Sequence, residues 1–205
     1  YDVARDTLRR VSMPGADVYH PVWAPDGQRL IFTAASSGEP RRLCVADLRR
    51  RDTPEVVYTA PSVELKIRAY SWSPDGSVVA VDIDAGDGRT LTHILPLDGG
   101  DPTPLFEGAR AQIMSPRFSP DGRWIAYVAD ETDRSELYVT RYPATESGWM
   151  VSTDGARSPF WSRDGGELYW HDRRGRLMAA ELRFEPDLSS AEPRVLFDID
   201  QLRLL

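Results

Sequence analysis

His20, Arg68, Arg117 and Arg157 are the side chains of this sequence best suited to hold an anion, and each lies within four residues of a recurring aromatic residue and turn. A guanidinium presents paired N–H donors to a carboxylate or phosphate, so the set is the chemistry of a site for an anionic or peptide ligand. The competing reading is ion pairing with acidic neighbours such as Asp17, Glu64 or Asp154. Other candidates are weaker. Asp82-x-Asp84-x-x-Asp87-Gly88 follows a calcium loop in outline, but Gly86 stands at the third ligand position and His93 where a bidentate Glu belongs, so a solvated hairpin loop is the better reading. Cys44, the single cysteine, can form neither an intramolecular disulfide nor a thiolate zinc site, and its apolar neighbours mark a buried, inert thiol. Three scattered histidines, His20, His93 and His171, make no metal cluster. No metal and no cofactor is expected. The sequence has no Gly-x-Ser-x-Gly elbow, no Gly-rich phosphate loop, no His-Arg-Asp and no Asp-Phe-Gly. The expectation is a chain that is not an enzyme.

Composition narrows the partners. The 205 residues include 25 Lys plus Arg against 32 Asp plus Glu, a formal net charge of −7. An acidic surface does not displace counterions from phosphates, so nucleic acid is not an expected partner. Lys66 is the single lysine, an Arg bias that reflects a GC-rich bacterial genome better than phosphate recognition. Arg49-Arg50-Arg51 and Arg173-Arg174 each adjoin an acidic residue and read as solvated turns. No apolar run approaches the roughly 18 residues of a membrane span.

The elements that must position these residues are set by a repeat. Trp23-Ala24-Pro25-Asp26-Gly27 recurs as Trp72-Ser73-Pro74-Asp75-Gly76, Phe118-Ser119-Pro120-Asp121-Gly122 and Trp161-Ser162-Arg163-Asp164-Gly165, with the glycines 49, 46 and 43 residues apart. Such a period suits one four-stranded β-propeller blade. Proline presets φ for the first central position of a type I turn, and glycine takes the left-handed position that closes the hairpin. The motif is therefore a turn and not an active site. The aromatic before it is expected to pack between neighbouring blades. Behind each turn lie three further β-rich runs, the second strands being Leu30–Thr33, Val78–Val81, Trp124–Val128 and Leu168–Trp170. The repeats fall at about 13–59, 60–107, 108–153 and 154–198 of a single, partial domain. Asp6–Ser12 reads as the last strand of an earlier blade.

Pro21-Val22-Trp23 with its turn and following apolar strand resembles the WD-like repeat of TolB-type β-propellers, over nearly the whole chain. Phe118-Ser119-Pro120-Asp121-Gly122-Arg123-Trp124-Ile125-Ala126-Tyr127-Val128 further resembles propellers fused behind bacterial serine/threonine protein kinases. Related propellers gate prolyl-oligopeptidase-like and tricorn-type peptidases. The resemblance implies a non-catalytic binding or scaffold module that recognises a protein or peptide through its loops and channel. The alternative is the gating propeller of a serine peptidase whose catalytic domain lies outside this chain, and a site of its own, such as a sugar or lactone hydrolase, is a third reading. It implies a bacterial protein, periplasmic or cytoplasmic. TolB-type rings close with six or more blades, so four blades and one strand imply part of a larger ring, favoured also by a start at Tyr1. An open arc would expose apolar blade faces and self-associate through its edges.

Overall fold

The computed structural model describes residues 10–50, 52–131, 134–144 and 148–198. Among them the chain is all β, without a helix, so no helix is long and apolar enough to cross a membrane. The strands form four antiparallel sheets that follow one another along the chain. The first holds β1 (Asp17–Trp23), β2 (Arg29–Ala35), β3 (Arg42–Asp47) and β4 (Glu55–Thr59). The second holds β5 (Ile67–Trp72), β6 (Val78–Asp84), β7 (Thr90–Pro96) and β8 (Thr103–Pro104). The third holds β9 (Ile113–Phe118), β10 (Trp124–Ala129), β11 (Glu136–Arg141) and β12 (Trp149–Met150). The fourth holds β13 (Arg157–Trp161), β14 (Glu167–His171) and β15 (Leu177–Arg183), with β16 (Ser189–Ser190) and β17 (Arg194–Phe197) both pairing with β15. These are the blades of a β-propeller. Of the strand expected over Asp6–Ser12, residues 6–9 lie outside the described residues, and Arg10–Ser12 belong to no strand.

In every blade the same hydrogen-bonded turn joins the first strand to the second. The N–H groups of Gly27, Gly76, Gly122 and Gly165 donate to the carbonyls of Ala24, Ser73, Ser119 and Ser162 at 2.9–3.0 Å, with the glycines at φ between 64° and 76°. The turn aspartates are occupied locally. Asp75, Asp121 and Asp164 each accept from the serine two residues earlier and from the N–H two residues later. Asp26 accepts from the backbone of Gln28 and Arg29 and from the Arg29 guanidinium. Neighbouring turns also nest, since a Cβ on Gly122 would come within 3.1 Å of Pro74 and one on Gly165 within 3.3 Å of Pro120.

The core is a stack of three apolar layers between successive blades. Ile31 and Leu43 meet Trp72, Val79, Val81 and Leu95; Ala80 and Ile94 meet Phe118, Ile125 and Tyr127; Trp124, Ala126 and Val128 meet Leu168 and Trp170. Alternation along β2, β6, β10 and β14 sends odd and even residues to opposite neighbours, as a pleated strand buried on both faces requires. Polar ties fix the angle of each joint. The Trp72 indole donates to the Val22 carbonyl at 3.2 Å, Trp161 to the Arg117 carbonyl at 3.0 Å, and the Phe118 N–H to Ser71 Oγ at 3.0 Å. Buried Glu136 on β11 accepts from Ser152 and from the Gly155 N–H, pinning the link into the fourth blade.

The expected core position of the aromatic holds for the later copies and fails for the first. Trp72 and Phe118 are 5% and 6% exposed, and Trp161 packs in the third layer, whereas Trp23 is 56% exposed. No sheet among the described residues precedes it. The outer part of that leading face is covered by Val11, Met13, Ala16 and Leu48, which pack on Phe32, Ala34, Cys44 and Ala46.

Gly122→Ala is expected to lower the urea midpoint more than Gly27→Ala. Both force a left-handed L-residue, at about 1–2 kcal/mol, but a Cβ at 122 meets Pro74 while one at 27 meets nothing within 4 Å.

Candidate functional site

The innermost strands β1, β5, β9 and β13 follow one another across the concave side of the arc, and each carries a one-residue bulge against the strand behind it. In three of them the bulge is a left-handed residue before a proline: His20-Pro21 at φ 52°, Ser115-Pro116 at 57° and Ser158-Pro159 at 51°. Proline disfavours the right-handed helical region for the residue before it, which steers that residue away from an ordinary turn. Blade two uses Tyr70 instead.

Asp82 supports one of these bulges from the blade before. It is 3% exposed; its Oδ2 accepts the Ser115 N–H at 2.9 Å and its Oδ1 lies 2.8 Å from Thr92 Oγ1. Burial pushes its pKa up to about 6, against the pull of those two bonds and of Arg68 and Arg117. Asp84 caps Gly86 and Asp87 pairs with Arg89 at 2.8 Å, so the three carboxylates of the calcium-like stretch have three separate partners. Cys44 is fully buried, and burial raises its thiol pKa. Of the basic runs, Arg49 pairs with Asp47 at 2.7 Å.

The four sequence-predicted residues all stand on innermost strands, in unlike circumstances. Arg117 is largely committed to the joints: its Nε donates to the Pro159 carbonyl at 3.2 Å, its Nη1 to the Tyr70 carbonyl, and its guanidinium lies over the Tyr70 ring at 5.2 Å. Burial lowers its pKa. His20 is exposed on β1, and partial burial followed by the nearby positive Arg68 lowers its pKa, so the structure brings these two together across the first joint. Arg68 and Arg157 are exposed and hold the same register position, Arg68 opposite Asp82 and Arg157 opposite His171. Tyr19 and Met114 occupy that position in the other two blades. Neither guanidinium makes a side-chain hydrogen bond or ion pair with the described residues. The acidic residues offered as their partners are otherwise placed, since Asp17 accepts from the Tyr19 hydroxyl and Asp154 lies near Arg176.

Sequence reasoning missed a second concavity. A cleft of about 820 Å³ lies beside the link from β8 to β9, lined by Leu105, Phe106 and Ile113 with the exposed Glu107, Arg110 and Glu131. Arg89 braces that link by donating to the carbonyls of Ala109 and Arg110.

The fold has counterparts in known proteins. The Tol-Pal system protein TolB of Thioalkalivibrio sulfidiphilus is 38% identical over 80 residues, which is 39% of this chain and 18% of that protein. The crystal structure of TolB from Acinetobacter baumannii superposes with a TM-score of 0.65 at 15% identity, over 89% of this chain and 44% of that one. The fold is a TolB-like β-propeller. Peptidase propellers share it. An uncharacterized peptidase, YuxL of Bacillus subtilis, is 25% identical over 150 residues, 57% of this chain and 22% of that protein. A puromycin-hydrolyzing peptidase of Mycobacterium tuberculosis superposes with a TM-score of 0.67 at 16% identity, over 91% of this chain and 30% of that one. The chain thus spans about a fifth of these two curated relatives. No family model matches it.

Asp82 sets a pH dependence with a definite sign. A carboxyl whose folded pKa exceeds its unfolded value adds stability at low pH and loses it as pH rises through about 6. Between pH 7.5 and 5 the native chain should gain about 1 kcal/mol relative to Asp82→Asn, whose side chain does not titrate. Denaturant melts of both at the two pH values give the comparison, and equal changes would place the charge of Asp82 outside this account.

Proposed function

We propose that this chain is a non-catalytic binding module that recognises a protein or peptide through the concave row of innermost strands, with Arg68 and Arg157 receiving carboxylates of an extended acidic segment. The observation that carries this reading is the pair of exposed guanidiniums at one register position, neither in a side-chain hydrogen bond or ion pair with the described residues. Elsewhere Arg29, Arg49, Arg89, Arg123, Arg176 and Arg194 all hold carboxylates. One innermost strand separates the pair. With sheets about 10 Å apart and an extended chain rising about 3.3 Å per residue, a peptide crossing β9 would place its two acidic side chains roughly six residues apart. Tyr19, Tyr70 and Phe160 lie on the same strands and offer aromatic surface to its remaining side chains.

The TolB relatives belong by name to the Tol-Pal system, and the resemblance to kinase-fused propellers gives another setting in which such a module would be an accessory domain. A second reading, the gating propeller of a serine peptidase, is favoured by the match to YuxL over more than half of the chain. In that case the same arginines would select peptides on their way to a catalytic domain. Fold alone does not choose between these roles. A Gly-x-Ser-x-Gly domain in the full gene product would select the second.

A peptide array tests both the ligand class and the residues. The native chain should enrich peptides with two acidic residues spaced for Arg68 and Arg157 and leave them uncleaved, and Arg68→Ala with Arg157→Ala should weaken that binding at least about tenfold. Unselective capture, or acidic selection that survives the double substitution, would reject the site; cleavage abolished by a point substitution would reject the non-catalytic reading.

A further inference from the structure

The cleft beside the link from β8 to β9 lies at the joint between the second and third blades. Its floor is apolar and continuous with the core. Leu105 and Ile113 are buried, and the half-buried Phe106 sets its ring against that of Tyr127 at 5.3 Å, in the layer that also holds Ala80, Ile94 and Phe118. The walls are pinned by residues that do not line the cleft. Arg89 donates to the Ala109 and Arg110 carbonyls at 2.9 and 3.0 Å while pairing with Asp87, and Gln112 donates its N–H and its side-chain amide to Asp130 at 2.6 and 3.2 Å. A braced concavity of about 820 Å³ over an apolar floor has the size and character of a small-molecule site.

Its charge is one-sided. Glu107, Asp130 and Glu131 line it against Arg110 alone, three carboxylates and one guanidinium, a net charge of −2. Asp130 spends both oxygens on the neutral donors of Gln112, which leaves its charge uncompensated. Glu107, Arg110 and Glu131 make no side-chain hydrogen bond or ion pair with the described residues. The turns are built differently, since Asp26, Asp47, Asp87 and Asp121 each pair with an arginine two or three positions on. The Glu131 charge also reaches the aromatic layer under Phe106, where it adds to burial in raising the pKa of Tyr127 and Tyr138. Carboxylates without counterions around an apolar floor are complementary to a ligand with a positive head and an apolar body; they repel an anion, and a neutral head gains little from them.

We propose that this cleft binds a small organic cation, a primary amine on an apolar body, with the ammonium among Glu107, Asp130 and Glu131 and the body against Leu105, Phe106 and Ile113. Neither Arg68 nor Arg157 lines the cleft, so the proposal is independent of the ligand assigned to them.

Three probes with one body and different heads provide the test: phenylbutylamine, phenylbutanol and phenylbutyrate, each titrated into the isotope-labelled 205-residue chain and followed by backbone amide NMR. The amine should bind at least about fivefold more tightly than the alcohol, and the acid most weakly. The amide shifts should centre on residues 105–113 and 130–131. Glu107→Gln with Glu131→Gln alters two exposed side chains and leaves Asp130 and Arg110 balanced, so the pair should melt as the native protein does and bind the amine no better than the alcohol. Raising sodium chloride should narrow the same preference in the native chain, which tests the charge without a substitution. An amine that binds no better than the alcohol would overturn the proposal, as would failure of every probe to bind. So would a preference that survives the double substitution, or amide shifts centred away from the cleft.

Discussion

The joint between blades is the constraint on which this structure depends. Within one blade the hydrogen-bond ladder is self-sufficient, but a four-stranded sheet with apolar residues on both faces cannot stand alone in water. Each blade therefore relies on its neighbours, and the innermost strand supplies the geometry. An aromatic residue is driven under the preceding blade, and its indole or backbone N–H is satisfied there by a carbonyl or a hydroxyl. Apolar burial provides the larger free energy and the single polar tie provides the angle, since a buried donor without an acceptor is costly.

The parts of this arrangement that are local were legible in the amino-acid sequence. Proline, aspartate and glycine act within four residues, so the turns, the blade period and the order of strands could be read directly. The packing of the aromatic between blades was legible from its recurrence, but the polar partner that it finds 44 to 50 positions away was not. Trp23 shows the difference: its copy of the motif is as complete as the others, yet with no sheet before it among the described residues it is 56% exposed. Arg117 shows the converse, a residue with the appearance of a ligand-binding arginine that is used to hold three strands together. A readable signal went unused, the Pro two residues before the aromatic in three copies, which marks the bulge where the backbone turns left-handed.

The candidate site was legible in register and not in occupancy. Aligning the copies on their aromatic residue places Arg68 and Arg157 at one position, and the strand pairing agrees. Whether either had an acidic partner depended on loops whose path the sequence does not reveal. Asp17, Glu64 and Asp154 are all near in sequence, and none of them forms an ion pair with either arginine. The cleft beside Phe106 was invisible for a similar reason, since it is lined by the link between two blades, whose path, held at Ala109 and Arg110 by Arg89, the sequence does not reveal.

Arg117 has a mechanical meaning as well. Its guanidinium grips β5 through the Tyr70 carbonyl and β13 through the Pro159 carbonyl while its own backbone belongs to β9, so one side chain acts as a spoke joining three consecutive blades. Two-blade ties set the angle between neighbours, but a three-blade tie couples successive angles and so fixes curvature. The second, third and fourth blades are thereby held as one rigid sector. The first blade meets the second through the Trp72 indole, the Thr33 hydroxyl and the Arg41 guanidinium, none of which reaches a third blade, so its angle is set at that one joint.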